Sequence, residues 1–352
     1  MAARQKVLVP GSEAVAEAAV RAGCTHYFGY PGLTLRQVHE FMATRLPVAG
    51  GIYTAAENPV AAIGMAFGAA AGGARVMTAT SGPGIGQMQE MLSFMAGAEV
   101  PCVVLNVGLS GYALAGTLPS QADYFQATRG ANLESCRLIA LCPSSVQEAA
   151  DLTQEAFELA DRHRNPVVLL LDGLVAEMME PMVPPAPRRK PPAEKPWSVG
   201  PRKGRKANLI TSVFLEPGAI EARTWKLHKK YEAIAASEAR FEETCCKDAD
   251  VVVVASGIVG RVAKTAVEKA RKRGLKVGLF RPVTLWPFPG EQLEEFSRHA
   301  EAVLVVELNT GQMVDDVRLA VSRPDRVHFY GRTGGSLPSS FEIMHEAVKW
   351  IE

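Results

Sequence analysis

No two of the six cysteines stand in C-x-x-C spacing: Cys24, Cys102, Cys136, Cys142, Cys245 and Cys246 are scattered along the chain. That argues against zinc or iron–sulfur ligation by this chain and fits a reducing compartment. No apolar run reaches the roughly 20 residues that a membrane helix needs. The opening segment, MAARQKVLVPGSEAV, lacks the long apolar stretch of a signal peptide, so a cytoplasmic chain with no membrane partner is expected. Charge of one sign is also lacking: 38 basic residues face 37 acidic ones, which gives no electrostatic case for nucleic acid. No G-x-G-x-x-G follows the first strand and no P-loop lysine motif occurs, so neither a dinucleotide nor a nucleoside triphosphate is supported.

What is present is an α/β rhythm. Ser12 to Ala22 reads as a helix with Ser12 as its cap, and Gly23 as the stop signal. THYFGYPG reads as a short buried strand running into a loop broken at Pro31-Gly32. Pro59 to Ala71 is a small-residue helix with proline at its first turn, where the missing N–H costs nothing. ARVMTATSGPG is a strand into a glycine turn, and VPCVVLNVG and NPVVLLLDG are continuous apolar strands, with a helix from Ser144 to Asp161 between those two. Such strands, buried on both faces, imply a parallel sheet covered by helices. From about Met182 to Lys206 the chain is proline-rich and basic and reads as a solvated strap. A polar helix follows, Glu216 to Glu243, with Trp225, Leu227 and Tyr231 as anchors. A second α/β unit opens at VVVVASG and closes with a helix from Ser340 to Ile351. Three segments result: an N-terminal α/β domain (1–182), an extended linker and helix (183–247), and a second parallel-sheet α/β domain (248–352).

Several long motifs occur in order: ENPVAAIGMAFGAAAGGARVMTATSGPG (Glu57–Gly84), SQADYFQATRG (Ser120–Gly130), FRPVTLWPFP (Phe280–Pro289), VELNTGQMVDDVRLAV (Val306–Val321) and FYGRTGG (Phe329–Gly335). Together with the PWSV and LITSVFL segments of the linker, these resemble the alpha subunit of the 2-oxoacid:ferredoxin oxidoreductases, the branched-chain type above all. The resemblance implies a thiamine-pyrimidine domain followed by a domain of the transketolase C-terminal type. It also implies thiamine diphosphate shared with a beta subunit that carries the diphosphate and magnesium site, and iron–sulfur clusters on partner chains, among them gamma and ferredoxin-like delta subunits. The activity implied is oxidative decarboxylation of a 2-oxoacid, with electrons passed to ferredoxin and the acyl group to coenzyme A. On this resemblance Tyr30, Pro31, Gly32, Glu57 and Ser81-Gly82-Pro83-Gly84 line the pyrimidine end. Leu33, Thr34, Leu109, Ser110, Gln121 and Asp123 lie on the substrate side.

Three positions depart from the family pattern. The family's activating glutamate, which hydrogen-bonds N1′ of the aminopyrimidine, stands nine residues before the glycine at Gly68. Here that position is Pro59, which leaves Glu57 as the nearby acid and the candidate catalytic residue. Leu33 stands where a threonine meets the substrate carboxylate, with Thr34 one place late. Leu109 stands where an arginine pairs with that carboxylate. General acid–base help is worth ~10²–10⁴ in rate, so the departures leave three readings open at this point. The chain is a conventional alpha subunit, a relative with altered thiamine chemistry on a bulkier or less charged substrate, or a non-catalytic structural subunit.

Overall fold

The computed structural model of the chain describes residues 6–32, 35–110, 118–130, 133–188, 195–199 and 208–351. Its strands are β1 (Val7–Pro10), β2 (His26–Gly29), β3 (Ile52–Ala55), β4 (Val76–Ser81), β5 (Cys102–Gly108), β6 (Ile139–Leu141), β7 (Pro166–Asp172), β8 (Met179–Met182), β9 (Phe241–Thr244), β10 (Val251–Val254), β11 (Val277–Pro282), β12 (Thr284–Trp286), β13 (Ala302–Glu307) and β14 (Val327–Gly331). The helices are α1 (Gly11–Arg21), α2 (Arg36–Val48), α3 (Pro59–Ala71), α4 (Pro83–Gly97), α5 (Tyr124–Thr128), α6 (Val146–His163), α7 (Gly173–Glu177), α8 (Ala219–Glu238), α9 (Gly257–Arg271), α10 (Gly290–Ser297), α11 (Met313–Ala320) and α12 (Ser340–Val348).

The first sheet has the order β12-β6-β7-β5-β4-β2-β3 and the second β14-β13-β10-β11-β9, while β1 and β8 form a separate antiparallel pair. Both large sheets are parallel except at one edge strand each, β12 and β9. Their central strands are buried along their whole length, which is why the sequence shows them as unbroken apolar runs. The chain leaves β2 toward β3 and then returns past β2 to β4 and on to β5. The direction of connection therefore reverses between β2 and β4. With right-handed crossovers, α2 covers one face, packed with α1, and α3 covers the other, packed with α4.

Several boundaries differ from the sequence reading. Phe241–Thr244 falls within the segment read as linker and helix, yet it pairs antiparallel with β11 in the second sheet. Thr284–Trp286 lies within the second domain by sequence and crosses back to edge the first sheet. Ser12 does not cap α1: it lies inside the helix and donates to the Ala176 carbonyl (2.9 Å). The strap, where it is described, is not a solvated run. Lys195 is buried against Asp161 (2.7 Å) and Ser198 is buried as well. Arg75, wholly buried, reaches the same Asp161 and Glu158, and Arg188 shares Glu158. Positions 189–194 and 200–207 of the strap lie outside the described residues.

Helix α8 is docked as anticipated by Leu227 and Tyr231, joined by Ile234, whereas Trp225 is exposed. Its charged side clamps Glu99, a residue in the left-handed region (φ 56°) at the amino end of β5. Arg223 and Lys226 each lie 2.8 Å from that carboxylate. Burial raises the carboxyl's pKa, but Lys226, Lys230 and Arg223 outweigh it and hold the group down at about 2. A depressed carboxylate stabilises the fold above its ordinary range, and that contribution is lost as pH falls through the folded value. Glu99→Gln is expected to cost about 2 kcal/mol near neutral pH. In urea denaturation the gap between wild type and variant should narrow as pH drops from 4.5 toward 2; a gap that stays constant would contradict the clamp.

Candidate active site

Parallel strands deliver their carboxyl ends to one edge, and at the point where connections reverse the two diverging loops leave a crevice. In this sheet that point lies between Gly29 of β2 and the end of β4, with Gly29 in register with Ala79. Tyr30-Pro31-Gly32 leave β2 there, and Ser81-Gly82-Pro83-Gly84 turn from β4 into α4. Gly82 has φ 47°, and a Cβ at either Gly82 or Gly32 would meet no atom of the described residues within 4 Å beyond its own chain neighbours. Among those residues, both loops therefore border open space. The residue at the N-cap of α4 is Gly82, which has no side chain to cap the helix. Gly84 has no room for a side chain: a Cβ would collide with the Thr80 hydroxyl and stand 3.4 Å from Cγ of Pro59. Leu33 and Thr34 lie outside the described residues.

Pro59 is buried as the first residue of α3, with Asn58 capping the helix by accepting from the Ala61 N–H (2.8 Å). Its ring thus packs beside the glycine turn and offers no proton donor or acceptor to it. Glu57 is exposed in the bend before the cap. Beneath the β2 loop the sequence reading missed His39, which packs against Gly29 with its Nδ1 3.3 Å from the Tyr27 hydroxyl. Burial pulls its pKa below the usual histidine range.

The other half of the edge is closed by the second domain, whose strands present their own carboxyl ends to it. Gln121 is the link. Its Nε2 donates to the Ser256 carbonyl after β10 (3.1 Å), and its Oε1 accepts from the Leu308 N–H after β13 (3.1 Å). Its backbone N–H donates to the Leu308 carbonyl, and its own carbonyl accepts from Asn309 Nδ2 (2.9 Å). Glu307 in turn gathers N–H groups of Gln312, Met313 and Val314 at the start of α11. Tyr124 donates to Asp316 (2.6 Å), Arg129 pairs with the same carboxylate (2.8 Å), and Gln312 bonds to the backbone of Ala122 and Phe125. Asp172, at the end of β7, accepts from the Ile258 N–H at the start of α9 (2.6 Å), and burial pushes its pKa up to about 7.

Gln121 and Asp123, expected on the substrate side, are thus both buried. Gln121 spends every polar atom on the inter-domain seam. Asp123 accepts from Asn106 (3.0 Å) and Gln126 (3.1 Å), and burial pushes it up to about 6. Leu109 and Ser110 do sit at the β5 rim. Leu109 is half-buried, with its Cδ2 3.0 Å from where a Cβ on Gly173 would stand, and the Ser110 N–H donates to the Leu118 carbonyl (2.7 Å). Asp172 and Glu307 were missed, although each ends an apolar run (VVLLLD, VLVVE). A lone acid at a buried strand's carboxyl end is the signal.

Two family models cover most of the chain: pyruvate flavodoxin/ferredoxin oxidoreductase, thiamine diphosphate-binding, over residues 17–244, and pyruvate:ferredoxin oxidoreductase core domain II over 249–343. The chain belongs to the 2-oxoacid:ferredoxin oxidoreductase family, as an alpha-type subunit. The ketoisovalerate oxidoreductase subunit VorB of Methanothermobacter marburgensis is 42% identical over 96% of both chains. The 2-oxoglutarate synthase subunit KorA of the same organism is 32% identical over 98% of this chain and 99% of its own. Among solved structures, the 2-oxoglutarate:ferredoxin oxidoreductase of Magnetococcus marinus superposes with a TM-score of 0.90 at 26% identity. The match covers 99% of this chain and 66% of that one. A split-gene transketolase shares the fold alone (TM-score 0.61, 14% identity).

The seam can be tested without any ligand. Gln121→Leu strands the Leu308 N–H and the Ser256 carbonyl, at about 1–3 kcal/mol for each buried group left unsatisfied. Thermal stability should fall and the Leu308 amide should lose hydrogen-exchange protection. An unchanged melting temperature with Leu308 still protected would refute the seam.

Proposed function

We propose that this chain supplies the pyrimidine half of a thiamine diphosphate site in a complex that oxidatively decarboxylates a branched, apolar 2-oxoacid. The observation that carries the reading is the reversal of connection between β2 and β4, whose carboxyl ends run into the two glycine loops. When bound, the cofactor supplies the nucleophilic carbon and the electron sink that decarboxylation needs. This chain's residues would bind and orient it: Tyr30-Pro31-Gly32 and Ser81–Gly84 would hold its pyrimidine end, and Gly84 lets α4 close on Thr80. Pro59 holds no proton at its place, so any acid acting there comes from Glu57 or from the partner. A beta subunit carries the diphosphate and magnesium site. Gamma and ferredoxin-like delta subunits pass electrons through iron–sulfur clusters to ferredoxin, coenzyme A takes the acyl group, and the complex works in the cytoplasm.

One point supports the substrate class. The relatives above 40% identity are named for ketoisovalerate, and those near 32% for 2-oxoglutarate. The test is to purify the chain with its beta partner, assay bound thiamine diphosphate, and compare kcat/KM for 2-oxoisovalerate and 2-oxoglutarate with an artificial electron acceptor. A preference of roughly tenfold or more for the branched acid is expected, because an apolar pocket leaves the distal carboxylate of 2-oxoglutarate desolvated and unpaired. Absence of bound cofactor, or preference for 2-oxoglutarate, would overturn the reading.

A further inference from the structure

The FYGRTGG segment has so far no part in the chemistry, yet its placement gives it one. β14 ends at Gly331, in register with Glu307 of β13, so the residues after it leave the same carboxyl edge that meets the first sheet. The Arg332 N–H donates to the Glu307 carbonyl (3.0 Å). Gly331 lies against Asn309, where a Cβ would stand 2.5 Å from the Asn309 carbonyl oxygen, and Asn309 is bonded to Gln121. Gly334 and Gly335 both have positive φ (62° and 81°), and this turn carries the chain onto the first domain. A Cβ on Gly335 would stand 2.5 Å from Cβ of Leu118, the residue whose carbonyl accepts from Ser110 at the β5 rim. Gly335 is therefore seated beside Leu118 at the β5 rim, next to Leu109, where the family resemblance implies a cation.

Most other arginines near this edge are committed. Arg129 is paired with Asp316 and Asp315, and Arg281 is buried between Glu148 and Glu242. Arg36, exposed at the start of α2, is turned down its own helix onto Glu40 (2.7 Å). Among the described residues Arg332 is held by Glu342 (3.2 Å), with both side chains more than a third exposed, and by the Tyr330 hydroxyl, which shares that carboxylate. Such a surface pair is worth little and gives way readily to a desolvated carboxylate.

We propose that the second domain's Arg332–Gly335 loop forms the substrate-side wall and that Arg332 binds the carboxylate of the 2-oxoacid, in place of the cation absent at Leu109. The assignment rests on the 2-oxoacid reading above. Its test is calorimetric titration of 2-oxoisovalerate into the complex with its beta partner, without thiamine diphosphate, so that the cofactor site and the carboxylate site are read separately. Cofactor affinity is measured on the same preparations. Arg332→Gln should weaken 2-oxoacid binding roughly tenfold or more, the scale of a lost charge-assisted hydrogen bond. Arg332→Lys should recover part of the affinity, Arg36→Gln should leave it unchanged, and thiamine diphosphate affinity should not move in any variant. The assignment is overturned if Arg332→Gln binds 2-oxoisovalerate as wild type does, if the loss appears in Arg36→Gln instead, or if wild type binds none. A loss of cofactor affinity in step with the 2-oxoacid in Arg332→Gln would also overturn it, by marking the residue as structural.

Discussion

The side chain of Gln121 sets the relation on which the rest depends. One amide bonds to backbone groups after two different strands of the second sheet, in an environment from which water is excluded. Buried amide groups left unpaired are costly, so the pair of bonds tolerates little sliding between the domains. The two parallel sheets consequently meet carboxyl edge to carboxyl edge, over β5 and β7 on one side and β10, β13 and β14 on the other. Asp172 and Glu307 reinforce the join by receiving N–H groups at the starts of α9 and α11, where helix dipoles favour negative charge.

From that join follows a division of the first sheet's edge. The β5/β7 half is walled by the chain's own second domain, and the β2/β4/β3 half stays open. The open half holds the glycine loops and Pro59, the side on which the proposed cofactor site lies. The long motifs SQADYFQATRG and VELNTGQMVDD turn out to bond to each other, so they specify how the domains meet. The family resemblance is therefore carried largely by architecture, and the replaced residues Pro59 and Leu109 lie outside that bonding pattern. Scaffold and chemistry can change separately here because different residues hold them.

Much of this was legible in the sequence, for a physical reason in each case. Strands buried on both faces read as unbroken apolar runs, and Pro59 marked the start of α3 because proline is tolerated at a helix's first turn. Glycines at 32, 82 and 84 marked the loops at the edge. What stayed hidden depends on partners distant in sequence. Thr284–Trp286 is too short to show a period, so nothing announced that it crosses back to the first sheet. Gln121 reads as an ordinary loop residue until Leu308 and Ser256 are brought to it. Lys195 read as part of a solvated charge run because its partner, Asp161, is 34 positions away.

The central claim is the proposal that this edge holds thiamine diphosphate without the carboxyl group that the family resemblance implies at position 59. The most direct measurement is the rate of C2-proton exchange of the cofactor in the complex with the beta partner, read by NMR after acid quench, for wild type and Pro59→Glu. The account predicts bound cofactor in both, with exchange faster in Pro59→Glu by ~10² or more, within the range of general acid–base catalysis. Wild-type exchange already as fast as in the Pro59→Glu complex would show that another group does the work of the missing acid. A wild-type complex that binds no thiamine diphosphate would contradict the central claim.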